Sequence, residues 1–259
     1  MKRFGLIGHP VAGSFSPRLF EAAYGGRYPY DLIEGAEFGA SWQRFLDEYD
    51  GINITAPFKE FAFRAVDALS DDARLCGAVN LAVKTPAGLV GYNTDVAGVV
   101  LAVREACAQA GLASPGPQPV IPGSTGNLLK EALVVGCGGA GRAAAVAALR
   151  LGCRVTLANR TPSRAAALAE DLGCAWVPVE DLPALSPDLV IYTVPGPMDG
   201  FPEFPGAIIL EANYRTPCLE GRGKVYISGR RWLLFQAVAG YGIFTGETPD
   251  AGAMFRIFC

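Results

Sequence analysis

Histidine is all but missing from this chain: His9 is the only one among 259 residues. That leaves no imidazole set for a zinc site and one candidate base for a Ser-His-Asp triad. His9 stands at the end of the first predicted strand and reads as structural. The seven cysteines (76, 107, 137, 153, 174, 218 and 259) form no C-x-x-C pair. An odd, scattered set argues against a disulfide framework and for reduced thiols in a cytoplasmic setting. No metal is expected. Charged residues make up only 18% and the net charge is −3. With no basic patch, nucleic acid is an unpromising partner. Long apolar runs are missing too. Residues 106 to 129 are uncharged but hold Gly, Pro, Gln and Asn, and the uncharged run 232 to 246 is too short, so no membrane span is expected. The opening residues Arg3-Phe-Gly-Leu-Ile-Gly8 read as a strand rather than a secretory leader. Acid–base chemistry must then fall mainly to Lys, Asp, Glu, Tyr or thiols.

What the chain has is apolar mass, 51% of its residues, enough for one large domain or two modest ones. Its organising stretch is Ala132-Leu-Val-Val-Gly136-Cys-Gly138-Gly139-Ala140-Gly141-Arg-Ala-Ala. The apolar run reads as a buried parallel strand, and Arg142 to Leu151 as an Ala-rich helix. Between them, Gly136 permits a tight turn, Gly138 lets backbone approach a pyrophosphate, and Gly141 lets the helix lie close on the sheet. Free N–H groups and the positive end of the helix dipole then face the anion. The next strand, Arg154-Val-Thr-Leu-Ala158, ends at Asn159-Arg160-Thr161. NAD folds usually carry Asp or Glu there, roughly 20 residues after the first Gly, on the ribose hydroxyls. Arg160, with Arg164 one turn into the following helix, can instead grip a 2′-phosphate, so NADP is the preferred cofactor.

The pattern elsewhere alternates strand and helix. Strands are expected at Phe4–Gly8, Tyr30–Ile33 and Gly51–Ile54. Helices are expected from Ser16 (as N-cap) to Gly25, from Ser41 to Tyr49, and from Lys59 to near Leu69. Ala78–Lys84 and Leu89–Tyr92 read as a hairpin about Pro86-Ala-Gly88. Asp95 is expected to cap a helix ending near Ala110. Residues 113 to 127, rich in Pro and Gly, read as a long loop. Further strands are expected near 132, 154, 176, 188, 207 and 225, followed by an apolar helix from Trp232 to Gly242 that returns to the first domain. The fold class is α/β, with mainly parallel sheets covered on both faces.

In the first half, polar residues collect at strand ends, where open α/β sheets bind ligands. They are Ser14, Ser16, Asn53, Thr55, Lys59, Asn80 and Asn93-Thr94-Asp95. Each alone is often only a cap or turn residue. Together they suit a small hydroxy acid, and a ketone reduced by NADPH needs a proton that a Lys ammonium held by Asp95 can supply.

Read in order, the chain resembles the shikimate dehydrogenases. The matching pieces are Gly8-His-Pro-Val-Ala-Gly-Ser14-Phe-Ser16-Pro17, Gly51-Ile-Asn-Ile-Thr55-Ala-Pro-Phe-Lys59, Gly77-Ala-Val-Asn80 and Gly91-Tyr-Asn-Thr-Asp95-Val-Ala-Gly98. The glycine turn, Asn159-Arg-Thr161, Asn213-Tyr214-x-x-Pro217, Gly229 and Gln236-Ala237 follow. The resemblance implies NADPH-dependent, reversible reduction of 3-dehydroshikimate to shikimate, in chorismate and aromatic amino-acid biosynthesis. It makes Lys59 and Asp95 the catalytic pair. It places substrate on Ser14, Ser16, Thr55, Lys59, Asn80, Asp95, Tyr214 and Gln236. Cofactor would touch Asp71, Gly136, Gly138, Gly139, Ala140, Gly141, Asn159, Arg160, Thr161, Arg164, Ala212 and Gly229. It also implies a discontinuous substrate domain, 1–97 with 232–259, around an NADP domain at 98–231, in a monomer or homodimer. Three departures stand out: Gly13 where the family usually has His, Leu81 for a common Thr, and Tyr192-Thr-Val-Pro where it commonly reads Asn-Ala-Thr. The last suggests contacts at 193 and 194 through backbone only. Two rival readings are an NAD-using quinate/shikimate dehydrogenase and a catalytically weak metabolite-binding relative.

Overall fold

The computed structural model describes residues 1–112 and 129–258, so the loop expected at 113 to 127 lies outside the described residues. The chain divides into two compact units, Met1–Thr94 with Leu234–Cys259, and Asp95–Leu233.

The first unit runs β1 (Phe4–Gly8), α1 (Ser16–Tyr24), β2 (Tyr30–Glu34), α2 (Phe38–Glu48), β3 (Gly51–Ile54), α3 (Lys59–Ala65), β4 (Ala68–Leu69), α4 (Asp71–Cys76), β5 (Leu81–Thr85) and β6 (Gly88–Tyr92). Its sheet order is β2-β1-β3-β5-β6-β4. β1 lies parallel between β2 and β3, while β5 pairs antiparallel with both β3 and β6. Every residue of β1 and β3 is buried, as parallel strands covered on two faces must be. One face packs on α2 through Trp42, Phe45 and Tyr49 against Ile7, Ile33, Ile52 and Ile54. On α1, Phe20 lies with its ring 4.8 Å from both Tyr30 and Tyr241 and 5.4 Å from Phe4.

Four local expectations are corrected. Ser16 is the first helical residue rather than the cap, and the N–H of Ser16 donates to Ser14 Oγ instead. α2 begins at Phe38, three residues before Ser41. α3 stops at Ala65, not near Leu69, because the following residues pair with β6. Asp67 N–H donates to Leu89 O and Ser70 N–H to Gly91 O, both at 2.9 Å. That edge strand leads into α4, which the sequence pattern did not announce, with Ser70 as N-cap accepting from Ala73 N–H. Finally, Asp95 lies inside the first turn of α5 (Thr94–Gln109) and does not cap it.

The second unit continues with β7 (Glu131–Val135), α6 (Gly139–Arg150), β8 (Arg154–Ala158), α7 (Pro162–Leu172), β9 (Ala175–Val177), β10 (Leu189–Tyr192), β11 (Phe204–Glu211) and β12 (Gly223–Ser228). The order is β12-β11-β10-β7-β8-β9, and every neighbouring pair is parallel. The chain leaves β7 toward β8 on one side and returns to β10 on the other. The carboxyl ends of β7 and β10 therefore flank a topological switch point, where such sheets bind ligands.

α8 (Gly229–Thr245) is longer at both ends than the pattern suggested, and α9 (Ala251–Phe255) follows it. From Leu234 onward α8 belongs to the first unit, where Phe244 stacks on Phe4 at 4.9 Å. A Cβ on Gly51 would meet the Phe244 ring at 2.7 Å, so the strand there has to be bare. Within the second unit, Trp232 Nε1 donates to the Asp95 carbonyl at 3.0 Å and joins the first turns of α8 and α5.

Phe20 is 1% exposed and ringed by aromatics. Phe20→Ala should destabilise the first unit by about 3–5 kcal/mol, measured as a lowered urea midpoint followed by tyrosine fluorescence.

Candidate active site

In the first unit the site is built at the carboxyl ends of β1 and β3. The two loops that leave them are tied together, His9 N–H donating to Ala56 O at 3.1 Å and Thr55 N–H to Ile7 O at 3.0 Å. They pack so closely that a Cβ on Gly8 would collide with Thr55 Cγ2. In the first loop Ser14 and Ser16 bring their hydroxyls to 3.1 Å, and Tyr241 OH fixes the backbone by donating to Ser16 O. Two neighbouring hydroxyls of this kind suit an anionic oxygen pair. In the second loop Thr55 precedes Lys59, the first residue of α3, whose carbonyl accepts from Val79 N–H at 3.0 Å.

Behind these loops runs a chain of amides. Tyr30 OH donates to Asn53 Oδ1 at 2.8 Å, and Asn53 Nδ2 to Asn80 O at 3.3 Å. Asn80 Oδ1 accepts from Thr94 N–H at 2.8 Å, while its Nδ2 donates to Thr94 Oγ1 at 3.1 Å. Thr94 Oγ1 in turn lies 3.2 Å from Gln236 Oε1. Ser14, Ser16, Thr55, Lys59, Asn80 and Gln236 are thus all set on the first unit's strand ends or on α8. Asp71, an exposed residue, opens α4 of the same unit.

The second unit supplies a glycine turn of the shape a dinucleotide cradle needs. Gly136 sits at φ +97°, which disfavours any side chain, and its N–H donates to Ala158 O at 2.8 Å. A Cβ on Gly141 would fall inside the shell of the Gly136 carbonyl, so α6 can lie on the turn only because Gly141 is bare. At Gly138 and Gly139 a Cβ would meet nothing within 4 Å, and both are exposed along with Ala140. These residues open α6, three positions earlier than the Ala-rich pattern implied, so their N–H groups are the ones without helical partners. The cradle fits the pyrophosphate of NADP.

Beside it, Asn159 Oδ1 accepts from Cys137 N–H at 3.2 Å and Asn159 Nδ2 donates to Thr161 O at 3.0 Å. Arg160, Thr161 and Arg164 are exposed, and neither arginine has an ion pair among the described residues. Thr193 explains the departure noted after β10: its Oγ1 donates to Val135 O at 2.9 Å, so its hydroxyl braces the glycine turn. A Cβ on Gly229 would strike the Ala212 carbonyl, which locks the start of α8 against the end of β11.

Thiol chemistry finds no support here. Burial pushes Cys137 up to about 11, Cys153 to about 12 and Cys218 to about 11, so each stays protonated at neutral pH. Among the described residues no group of three His, Cys, Asp or Glu could hold a metal ion, and no helix is long and apolar enough to cross a membrane.

Sequence reasoning missed Glu211. It ends β11, is 0% exposed, and accepts from Cys218 N–H at 2.9 Å, Leu219 N–H at 3.1 Å and Tyr226 OH at 3.0 Å. The sequence signal was there: one carboxylate at the end of the apolar run Ala207-Ile-Ile-Leu210. Together with Asn213, whose Nδ2 donates to Pro195 O and Thr216 O, it shapes the loop that carries Tyr214.

An all-parallel sheet with a glycine turn at its switch point, in one chain with a second sheet whose strand ends carry paired hydroxyls and amides, fits the class of nucleotide-dependent oxidoreductases. A family model described as the shikimate dehydrogenase substrate binding domain matches residues 6–82. A shikimate dehydrogenase (NADP(+)) of Rubrobacter xylanophilus is 38% identical over 97% of this chain and 93% of its own. The shikimate 5-dehydrogenase of Thermus thermophilus, solved with NADP(H) and shikimate, superposes with a TM-score of 0.80 at 30% identity, covering 99% of this chain and 98% of that one. A quinate dehydrogenase of Corynebacterium glutamicum solved with NAD gives 0.81 at 25% identity, covering 99% and 98%. The chain belongs to the shikimate dehydrogenase family.

Glu211→Ala would strand several buried donors and should cost at least about 3 kcal/mol, read as a lowered melting temperature. Burial first, and then the Glu211 carboxylate, hold the Tyr226 phenol well above its ordinary range. In the same variant the ultraviolet titration of Tyr226 should move to lower pH.

Proposed function

We propose that this protein reduces 3-dehydroshikimate to shikimate with NADPH, reversibly, in chorismate and aromatic amino-acid biosynthesis, as a cytoplasmic monomer or homodimer. The observation that carries the reading is that one chain holds both halves of a hydride transfer: a glycine turn suited to a dinucleotide, and a separate set of strand-end hydroxyls and amides in one unit with Lys59. The activities named for its relatives and the ligands bound to them support the same substrate and cofactor.

When bound, NADPH supplies the hydride. Gly136, Gly138, Gly139, Ala140 and Gly141 hold its pyrophosphate, with Asn159, Arg160, Thr161 and Arg164 toward the adenosine end. Ala212, Gly229 and Asp71 are the remaining cofactor positions. Ser14 and Ser16 take the substrate carboxylate. Thr55, Asn80, Tyr214 and Gln236 serve the ring hydroxyls and the carboxylate. Lys59 donates a proton to the substrate's carbonyl oxygen as it becomes a hydroxyl, with Asp95 as its carboxylate partner. The substrate domain is 1–97 with 232–259, and the NADP domain 98–231.

General acid catalysis contributes about 10² to 10⁴ in rate. Lys59→Met should therefore lower kcat by that range in an assay of NADPH oxidation, with a smaller change in substrate affinity. An almost normal kcat would remove Lys59 from this role.

Removing both guanidiniums by Arg160→Ala and Arg164→Ala should raise the NADPH KM about tenfold or more and leave the NADH rate unchanged. A second reading, an NAD-using quinate/shikimate dehydrogenase, is favoured by the fold match to the quinate enzyme. Initial rates with both cofactors and both polyols separate the two, and ligand binding without turnover would point to a metabolite-binding relative.

A further inference from the structure

We infer that Thr94 is a positioning residue whose hydroxyl orients the carboxamides of Asn80 and Gln236, so that both present N–H donors to substrate. The inference rests on the reading of those two amides as substrate contacts. Thr94 is 3% exposed and opens α5, and its Oγ1 lies between the two amides, 3.1 Å from Asn80 Nδ2 and 3.2 Å from Gln236 Oε1. All three residues belong to the first unit.

A hydroxyl has one proton and two acceptor lone pairs. One lone pair takes the Asn80 Nδ2 hydrogen. Two oxygens compete for the proton, Gln236 Oε1 at 3.2 Å and Asn80 Oδ1 at 3.3 Å. Asn80 Oδ1 already holds the Thr94 main-chain N–H at 2.8 Å, whereas Gln236 Oε1 has no other donor among the hydrogen bonds of the described residues. The proton therefore goes to Gln236. With its oxygen engaged, Gln236 has only its Nε2 hydrogens left to offer. Asn80 is fixed in the same sense, one Nδ2 hydrogen used and one remaining. An amide turned the other way would present an oxygen, which repels a substrate carboxylate and can only accept from a ring hydroxyl, where the N–H can donate to either.

Gly240 faces the Thr94 side chain at ordinary van der Waals distance. A Cβ on Gly240 would come within 3.6 Å of Thr94 Oγ1 and Cγ2. Valine copies the shape of threonine without the proton or the lone pairs, so Thr94→Val removes the orientation and keeps the packing.

The experiment is a double-mutant cycle on shikimate and NADP+ steady-state kinetics with Thr94→Val, Gln236→Ala and the pair, plus Thr94→Ser. Thr94→Val should raise the shikimate KM about five- to tenfold with the NADP+ KM unchanged. Thr94→Ser should restore the shikimate KM, and the double variant should cost less than the sum of the two single effects, because part of what Thr94 does runs through that amide. If Gln236→Ala raises the shikimate KM but Thr94→Val does not, or the two effects simply add, the positioning role is wrong. An equal rise in both KM values on Thr94→Val would mark general loosening and also overturn it. If Gln236→Ala leaves the shikimate KM unchanged, the reading of Gln236 as a substrate contact fails, and the inference falls with it.

Discussion

No side chain can exist at residue 141, because the carbonyl oxygen of Gly136 occupies the place of its Cβ. From that contact the second unit follows. It brings the first turn of α6 down onto the end of β7 and leaves Gly138, Gly139 and Ala140 exposed. Thr193 then closes the turn from β10, its hydroxyl on the Val135 carbonyl. This turn is thus made almost wholly of main chain. An anion held there, as proposed, would be told apart only at the next strand end.

The first unit solves a different problem. Its strand ends present side chains, and polar side chains near a core are costly unless each is paired. The structure pairs them in series, Tyr30 to Asn53, Asn53 to the Asn80 carbonyl, Asn80 to Thr94, Thr94 to Gln236. Such a chain leaves each amide one defined hydrogen-bonding direction for a ligand. Glu211 does the corresponding job in the second unit, where several donors converge on a fully buried carboxylate. Breaking a chain of this kind leaves more than one group unsatisfied, which is why its members are coupled and not additive.

Much of this was legible in the residues. The parallel strands announced themselves as short apolar runs, and the glycine turn, Asn159-Arg160 and the strand-end hydroxyls stood in the open. What stayed hidden was decided by partners distant in sequence. Residues 67 to 70 continue a helical pattern on paper, yet Leu89 and Gly91 offer ladder carbonyls that win over a frayed helix end. Ser16 looks like an N-cap, but Ser14 is the hydroxyl that takes its N–H. Thr94 reads as one of several strand-end polar residues until Gln236, 142 residues later, is seen beside it. Glu211 is a lone charge after an apolar run, and only the fold brings Leu219 and Tyr226 to it.

The strand-end position of Asn159 joins these threads. Its oxygen accepts the Cys137 N–H of the glycine turn, and its nitrogen donates to the Thr161 carbonyl, so it staples two loops with opposite polarities. A carboxylate could make the first bond but not the second: it has no proton to give, and its second oxygen would face the Thr161 carbonyl. The residue that best holds these loops together is therefore an amide, and an amide carries no charge to repel a phosphate. A 2′-phosphate dianion beside a carboxylate would suffer like-charge repulsion in a partly desolvated setting. On the proposed cofactor site it would meet only dipoles at Asn159, with Arg160 next in the chain and Arg164 one turn on. The side chain that fixes the shape of the turn would thus also remove the main barrier to a phosphorylated cofactor.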